Sequence, residues 1–179
     1  MFVEFEMERL QSLYENEVKY NLSDSGNHPL SMNDLMSEEE IKRILEMEIY
    51  YGYTTGDPSL LSAIASWYPD KITSSNILVT NGSAEANFLI GWTLVEPDDE
   101  VIMVLPNYMQ VPGLAKNLGA SVKTIHLKES LGWHLDLDEL ESIVNDKTKL
   151  ISILSFNFFL FVVVSTAVTI SKLNCPETL

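Results

Sequence analysis

The sequence predicts an α/β protein with a largely parallel sheet and helices on its faces. Three observations point there. Short apolar segments alternate with helical ones from Asn76 onward, the rhythm of strand–helix–strand units. Turn chemistry punctuates them at Asn81-Gly82-Ser83, Glu96-Pro97-Asp98-Asp99, Pro106-Asn107 and Gly119. The 179 residues are 46% apolar, enough for a real hydrophobic core in one domain or part of a larger one.

Each element can be justified in order. Phe5 to Lys19 spaces Phe5, Leu10, Leu13, Tyr14 and Val18 as one face of an amphipathic helix. Asn21 to Pro29 is a loop, rich in Ser, Asp, Gly and Asn. Ser31 is placed to cap a helix running to about Met47, with Leu35, Met36, Ile41, Ile44 and Leu45 inward. Tyr50 to Gly56 reads as a loop. Asp57-Pro58 supplies an N-cap and a first-turn proline for a helix carrying Leu60, Leu61, Ile64 and Trp67. Asn76 to Thr80 reads as a first strand and Ser83 to Val95 as a helix. Glu100 to Leu105 reads as a second strand, with a helix from the Pro106-Asn107-Tyr108 break to Leu118. Ser121 to Leu127 is a third strand, Asp136 to Val144 an acidic-led helix, and Lys149 to Ile153 the start of a fourth strand.

Composition excludes several functions. Eleven Lys and Arg stand against 26 Asp and Glu, a net charge of −15, so there is no electrostatic case for nucleic acid. The single cysteine, Cys175, excludes an intramolecular disulfide and a cysteine-built zinc site, and fits a reducing compartment. His28, His126 and His134 share no ligand spacing, so no metal site is expected. Met1 to Met7 carries Glu4 and Glu6 and does not read as a signal peptide. A cytoplasmic protein is therefore expected.

The alternative is a membrane anchor: Leu150 to Ser171 contains 22 uncharged residues, and a spanning helix needs about 20. Seven Ser, Thr and Asn residues dilute that run. Its Val-Val-Val and Phe cluster suits a buried strand equally well.

Three places could carry chemistry. At Asn81-Gly82-Ser83-Ala84, a glycine between strand and helix permits a tight turn. The N–H groups of the following helix then favour an anion, phosphate above all. It is neither a P-loop nor a dinucleotide fingerprint, and judged alone it reads first as an ordinary glycine turn with a serine cap. Tyr108, at the end of a strand, stands where ligands collect in open α/β sheets and could stack on a flat ring. The Tyr51 phenol could donate to a phosphate. Judged singly, both tyrosines also read as packing residues.

The order of the pieces resembles the class I/II aminotransferases, fold type I enzymes that use pyridoxal 5′-phosphate (PLP). Tyr51-Gly52-Tyr53-Thr54-Thr55-Gly56-Asp57-Pro58-Ser59-Leu60 is similar to that family's Tyr…Gly-x-Pro-x-Leu segment. Ile77-Leu78-Val79-Thr80-Asn81-Gly82-Ser83-Ala84-Glu85-Ala86 is similar to its cofactor-phosphate turn. Glu96-Pro97-Asp98-Asp99-Glu100-Val101 and Pro106-Asn107-Tyr108 resemble its Pro-Gly-Asp-Glu-Val strand and Pro-x-aromatic loop. Asn21 to Leu30, with Gly26, resembles the loop near the substrate carboxylate. The likeness covers roughly Tyr14 to Ile153.

The resemblance implies a partial three-layer α/β/α large domain at 50–153, an N-terminal helical arm at 1–49 and a divergent apolar tail at 154–179. It implies that Gly82, Ser83 and Ala84 hold the cofactor phosphate and that Tyr108 stacks on its ring. Tyr51 would serve the cofactor of a partner subunit in a homodimer, and Gly26 would lie by the substrate. The implied reaction is amino-group transfer between an amino acid and a 2-oxo acid.

The chain departs from the family after Ile153. Leu154-Ser155-Phe156-Asn157-Phe158-Phe159 stands where members carry Asn-Pro-x-x-Pro-Thr-Gly. The family's later Asp, covalently bonded Lys and substrate-binding Arg have no matching motif. The expectation is a truncated aminotransferase with no catalytic residue to nominate, weak or no PLP binding and no turnover alone. The alternative is a non-catalytic dimerising or membrane-anchored fragment.

Overall fold

The computed structural model describes residues 4–22, 29–49, 51–68 and 72–154, and the backbone of 160–164. The chain divides into two compact units: Glu8–Thr80, and Met1–Met7 with Asn81–Leu179.

The larger unit is built on a four-stranded sheet. Strands β1 (Glu100–Leu105), β2 (Ser121–His126) and β3 (Thr148–Leu154) are parallel, and β4 (Leu160–Val164) runs antiparallel to β3. The order is β2-β1-β3-β4, so β1 is central. Four of its six residues are buried, from Val101 to Val104, as expected of a strand covered on both faces.

The period of two sorts its side chains into two clusters. Val101 and Leu150 pack with Val95, Val111, Ala115 and Ala120, under helices α5 (Ser83–Leu94) and α6 (Gln110–Asn117). Ile102 and Ile151 pack on the other face with Ile125 and with Leu140 of α7 (Leu137–Ile143). These three layers are the expected partial α/β/α domain. A β-carbon added at Gly91 of α5 would run into the Leu114 side chain of α6, so glycine lets the two helices approach closely.

The smaller unit is helical: α1 (Glu6–Tyr14) leads into it, followed by α2 (Met32–Leu35), α3 (Glu38–Leu45) and α4 (Pro58–Ser66). The helix predicted from Ser31 to Met47 is two helices. Met36 is extended, and Ser31 and Ser37 each head a capping box, with Asp34 and Glu40 reaching back. A second set of cap bonds satisfies donors that a continuous helix would have used. Asp57 caps α4 as predicted, accepting from the Ser59 hydroxyl and, at 2.8 Å, from the Ser59 N–H. Those two bonds hold its carboxyl below the usual aspartate range.

Two further expectations are corrected. Asn76–Thr80 is not a strand. Asn76 ends a 3-10 turn (Ser74–Asn76) in which its side-chain oxygen accepts the Thr73 N–H at 3.0 Å and the Thr73 hydroxyl at 2.9 Å. The residues that follow belong to no ladder, although the Val79 N–H does donate to the Thr55 carbonyl at 2.9 Å. The strand periodicity is present, but a strand exists only with a paired neighbour.

The second concerns the apolar tail, where a membrane span and a buried strand were both open readings. Leu160–Val164 pairs with β3, Leu154 opposite Leu160 and Leu150 opposite Val164. Parts of Leu150–Ser171 are thus strand, and no helix among the described residues is long and apolar enough to cross a membrane.

Candidate functional site

The turn at the head of α5 is set by its backbone. Gly82 has φ 84° and ψ 171°, a region open essentially to glycine alone. A β-carbon there would meet nothing within 4 Å. Glycine is therefore required by conformation, not crowding, and the space above it is open. Ser83 and Ala84 begin α5, so their N–H groups belong to a first turn with no intrahelical acceptors. Glu85 turns its carboxylate back to accept the Asn81 N–H, which directs that acidic group to the preceding backbone.

Tyr108 follows the C-terminal end of β1, after a cis peptide bond between Leu105 and Pro106. Asn107 fixes the loop. Its side-chain oxygen accepts the Tyr108 N–H at 2.7 Å, and its amide donates to the Val104 carbonyl at 3.0 Å. Phe5 packs edge-on against the half-buried Tyr108 ring, 4.9 Å between centroids at 72°.

The turn and the loop are joined by a residue that sequence reasoning missed. Gln110 Nε2 donates to the Ala84 carbonyl at 2.9 Å, and its Oε1 accepts from Asn87 Nδ2 at 3.2 Å. The available signal was a polar Asn87 directly before the apolar run Phe88-Leu89-Ile90.

The structure thus brings Gly82, Ser83, Ala84 and Tyr108 into one unit, linked through Gln110. Tyr51 belongs to the other unit and is 97% exposed. Gly26 lies outside the described residues. A groove of about 510 Å³ lies alongside, lined in part by Phe5, Met7, Phe88, Met109, Leu114 and Lys116. The turn at 82–84 and Tyr108 are not part of its lining.

The charged clusters stand elsewhere. Glu100, at the N-terminal end of β1, accepts from Lys123 at 2.7 Å and Asn145 at 2.6 Å, and these bonds hold its carboxyl below the usual range. Lys128 contacts Glu139 at 2.7 Å and Asp136 at 3.5 Å, which raises its pKa. No group of His, Cys, Asp and Glu suited to a metal occurs among the described residues.

A glycine-headed helix start and an aromatic ring near a strand end, linked through Gln110, are chemically suited to a phosphorylated planar ligand. Residues 20–157 match the family described as aminotransferase class I and II. The chain is 32% identical to the aspartate aminotransferase of Sulfolobus acidocaldarius over 103 residues, 56% of this chain and 26% of that one. It is similar to the structure of a PLP-dependent aminotransferase from Streptococcus suis, with TM-score 0.75 and 29% identity, covering 84% of this chain and 41% of that one. It is also similar to the alanine aminotransferase of Pyrococcus furiosus, with TM-score 0.66 and 28% identity, covering 83% and 41%. The chain spans well under half the length of each.

Proposed function

The chain belongs to the aminotransferase class I and II family, and on that basis we propose that Gly82, Ser83, Ala84 and Tyr108 form the PLP contacts of an amino-group transfer site. The substrates would be an amino acid and a 2-oxo acid. The observation that carries this reading is the glycine-only conformation of Gly82 beneath open space, at the head of a twelve-residue helix.

The residues fit the cofactor. The first-turn N–H groups of α5 and the Ser83 hydroxyl suit a phosphate, and the helix dipole adds to their attraction. Tyr108, steadied by Asn107 and Phe5, offers a face for a pyridine ring. When bound, PLP supplies the electron sink that makes the α-proton of an amino acid labile. The chain's own residues bind and orient; none of them is nominated as the covalent amine. Lys123 and Lys128 are engaged by Glu100 and by Asp136 and Glu139. In this reading no lysine stands in a motif that resembles the family's covalent site, and binding by this chain is non-covalent and weak.

Two further roles complete the reading. By the resemblance, Gly26 would serve the substrate carboxylate and Tyr51 the cofactor of a second subunit. The stacked pair Phe88 and Trp92 on α5, 45% and 62% exposed, offers apolar surface for such pairing.

Titration of the chain with PLP and with pyridoxal, which lacks the phosphate, tests the proposal. Saturable binding that needs the phosphate, is lost on dialysis and gives no transaminase turnover is expected. Equal affinity for the two ligands would overturn the site assignment. An adduct that resists dialysis and maps to one lysine would overturn the non-covalent reading.

A further inference from the structure

We propose that Gln110 is a positioning residue that sets the spacing between the Gly82–Ser83–Ala84 turn and the loop bearing Tyr108. Its consequence for the cofactor rests on the reading above. Gln110 opens α6, two residues after Tyr108. Its carboxamide uses both ends, donating to the Ala84 carbonyl at 2.9 Å and accepting from Asn87 at 3.2 Å. Both partners lie in the first half of α5, one on the phosphate turn itself and one a helical turn behind it. Tyr108 is therefore tied on two sides: to β1 through Asn107 and Val104, and to α5 through Gln110.

Close packing of the two helices does not need this bond. Farther along α5, Gly91 already lies against Leu114. Gln110 acts at the other end, where the α5 N–H groups emerge. Asn87 makes the clasp hard to replace: it is only 4% exposed, and its Oδ1 has no hydrogen-bond partner among the described residues. Removing Gln110 Oε1 would take away the acceptor of its Nδ2 as well. A buried amide without partners is costly, so the first turn of α5 should loosen while the sheet beneath keeps its packing.

The test uses the full chain with Gln110→Met, which keeps side-chain length and loses both bonds, and Gln110→Glu, which keeps an acceptor for Asn87 and loses the donor to Ala84. Amide hydrogen exchange is read at residues 86–88, the first amides of α5 that bond back into its first turn, and in β1 and β3. Affinities for PLP and pyridoxal are measured in parallel for wild type and Gln110→Met. In Gln110→Met, exchange at 86–88 should quicken about tenfold, the effect of losing one or two hydrogen bonds, with β1 and β3 unchanged. PLP affinity should fall by a similar factor and pyridoxal affinity should hold. Exchange in Gln110→Glu should lie between, and that exchange decides the matter if the methionine variant does not fold, since the added carboxylate would itself repel a phosphate. Unchanged exchange at 86–88, exchange quickened equally in β1 and β3, or an unchanged ratio of PLP to pyridoxal affinity in Gln110→Met would each overturn the positioning role. A wild-type chain that binds no PLP would instead sink the cofactor reading, and the exchange measurement would still decide the clasp.

Discussion

Gly91 and Leu114 meet so closely that no β-carbon can be added at Gly91 unless the leucine moves, Leu114 Cγ lying 3.2 Å from its ideal position. This contact seats α5 on α6 above the Val101 and Leu150 side of the sheet. A helical glycine gives up about 1 kcal/mol of propensity relative to alanine, so its presence here marks a packing need. Gly91→Val should lower unfolding stability by about 1–3 kcal/mol, the usual cost of overpacking. In urea unfolding, the double variant with Leu114→Ala should lose less than the sum of the single losses. Strict additivity would mean that the two residues do not share the space.

Gly82 carries a different constraint, since its surroundings are open and only its backbone is unusual. Gly82→Ala should cost about 1–3 kcal/mol in local strain, relieved by reshaping the turn. PLP affinity should fall with it, and pyridoxal affinity should not. A Gly82→Ala chain with wild-type stability and PLP affinity would show that the turn does not need this conformation.

Glu100 predicts a pH dependence. The Lys123 ammonium, then the Asn145 amide, hold its folded pKa below the ordinary value. A carboxyl depressed in the folded state contributes stability that is present above the unfolded pKa, about 4.3, and is lost as pH falls through the folded pKa. Glu100→Gln should therefore be less stable than wild type at pH 7, and the difference should vanish under acid. A gap that persists undiminished at the acid limit would assign the loss to packing. Glu100 stands at the opposite end of β1 from Tyr108, so PLP affinity should be little affected.

Sheet and helices were legible in the sequence where period and partner agreed. Glu100–Leu105 is apolar enough to be central, and the structure puts β1 between β2 and β3. Asn76–Thr80 has the same local look, yet Asn76 caps a turn with Thr73 and no ladder forms beyond it. Pairing is not a local property, which is also why the Val-Val-Val segment suited a strand or a membrane span equally until β3 appeared as its partner. The turn at Gly82 was legible because a glycine between strand-like and helical segments marks a tight turn, and its φ of 84° bears that out. Gln110 was not, because its role depends on a carbonyl 26 residues away. Gly26 remains an expectation from resemblance.

Tyr51 gives the last prediction, and it concerns pairing. Its side chain is 97% exposed and that of nearby Tyr53 66%, so the chain's own fold gains little from burying either ring. Removing one phenol hydroxyl from such a surface changes stability by no more than about 0.5 kcal/mol, and Tyr51→Phe should unfold like wild type. If Tyr51 donates to the cofactor phosphate of a second subunit, the loss is larger: a hydrogen bond to a charged group contributes about 1.5–3 kcal/mol, roughly a 10- to 100-fold change in affinity. Co-expression with a full-length member of the same family should yield a mixed dimer. With Tyr51→Phe in this chain, the partner site should bind PLP more weakly and turn over more slowly. Failure to co-purify would remove the pairing role. A mixed dimer indifferent to Tyr51→Phe would keep the pairing and remove the phenol from the neighbouring site.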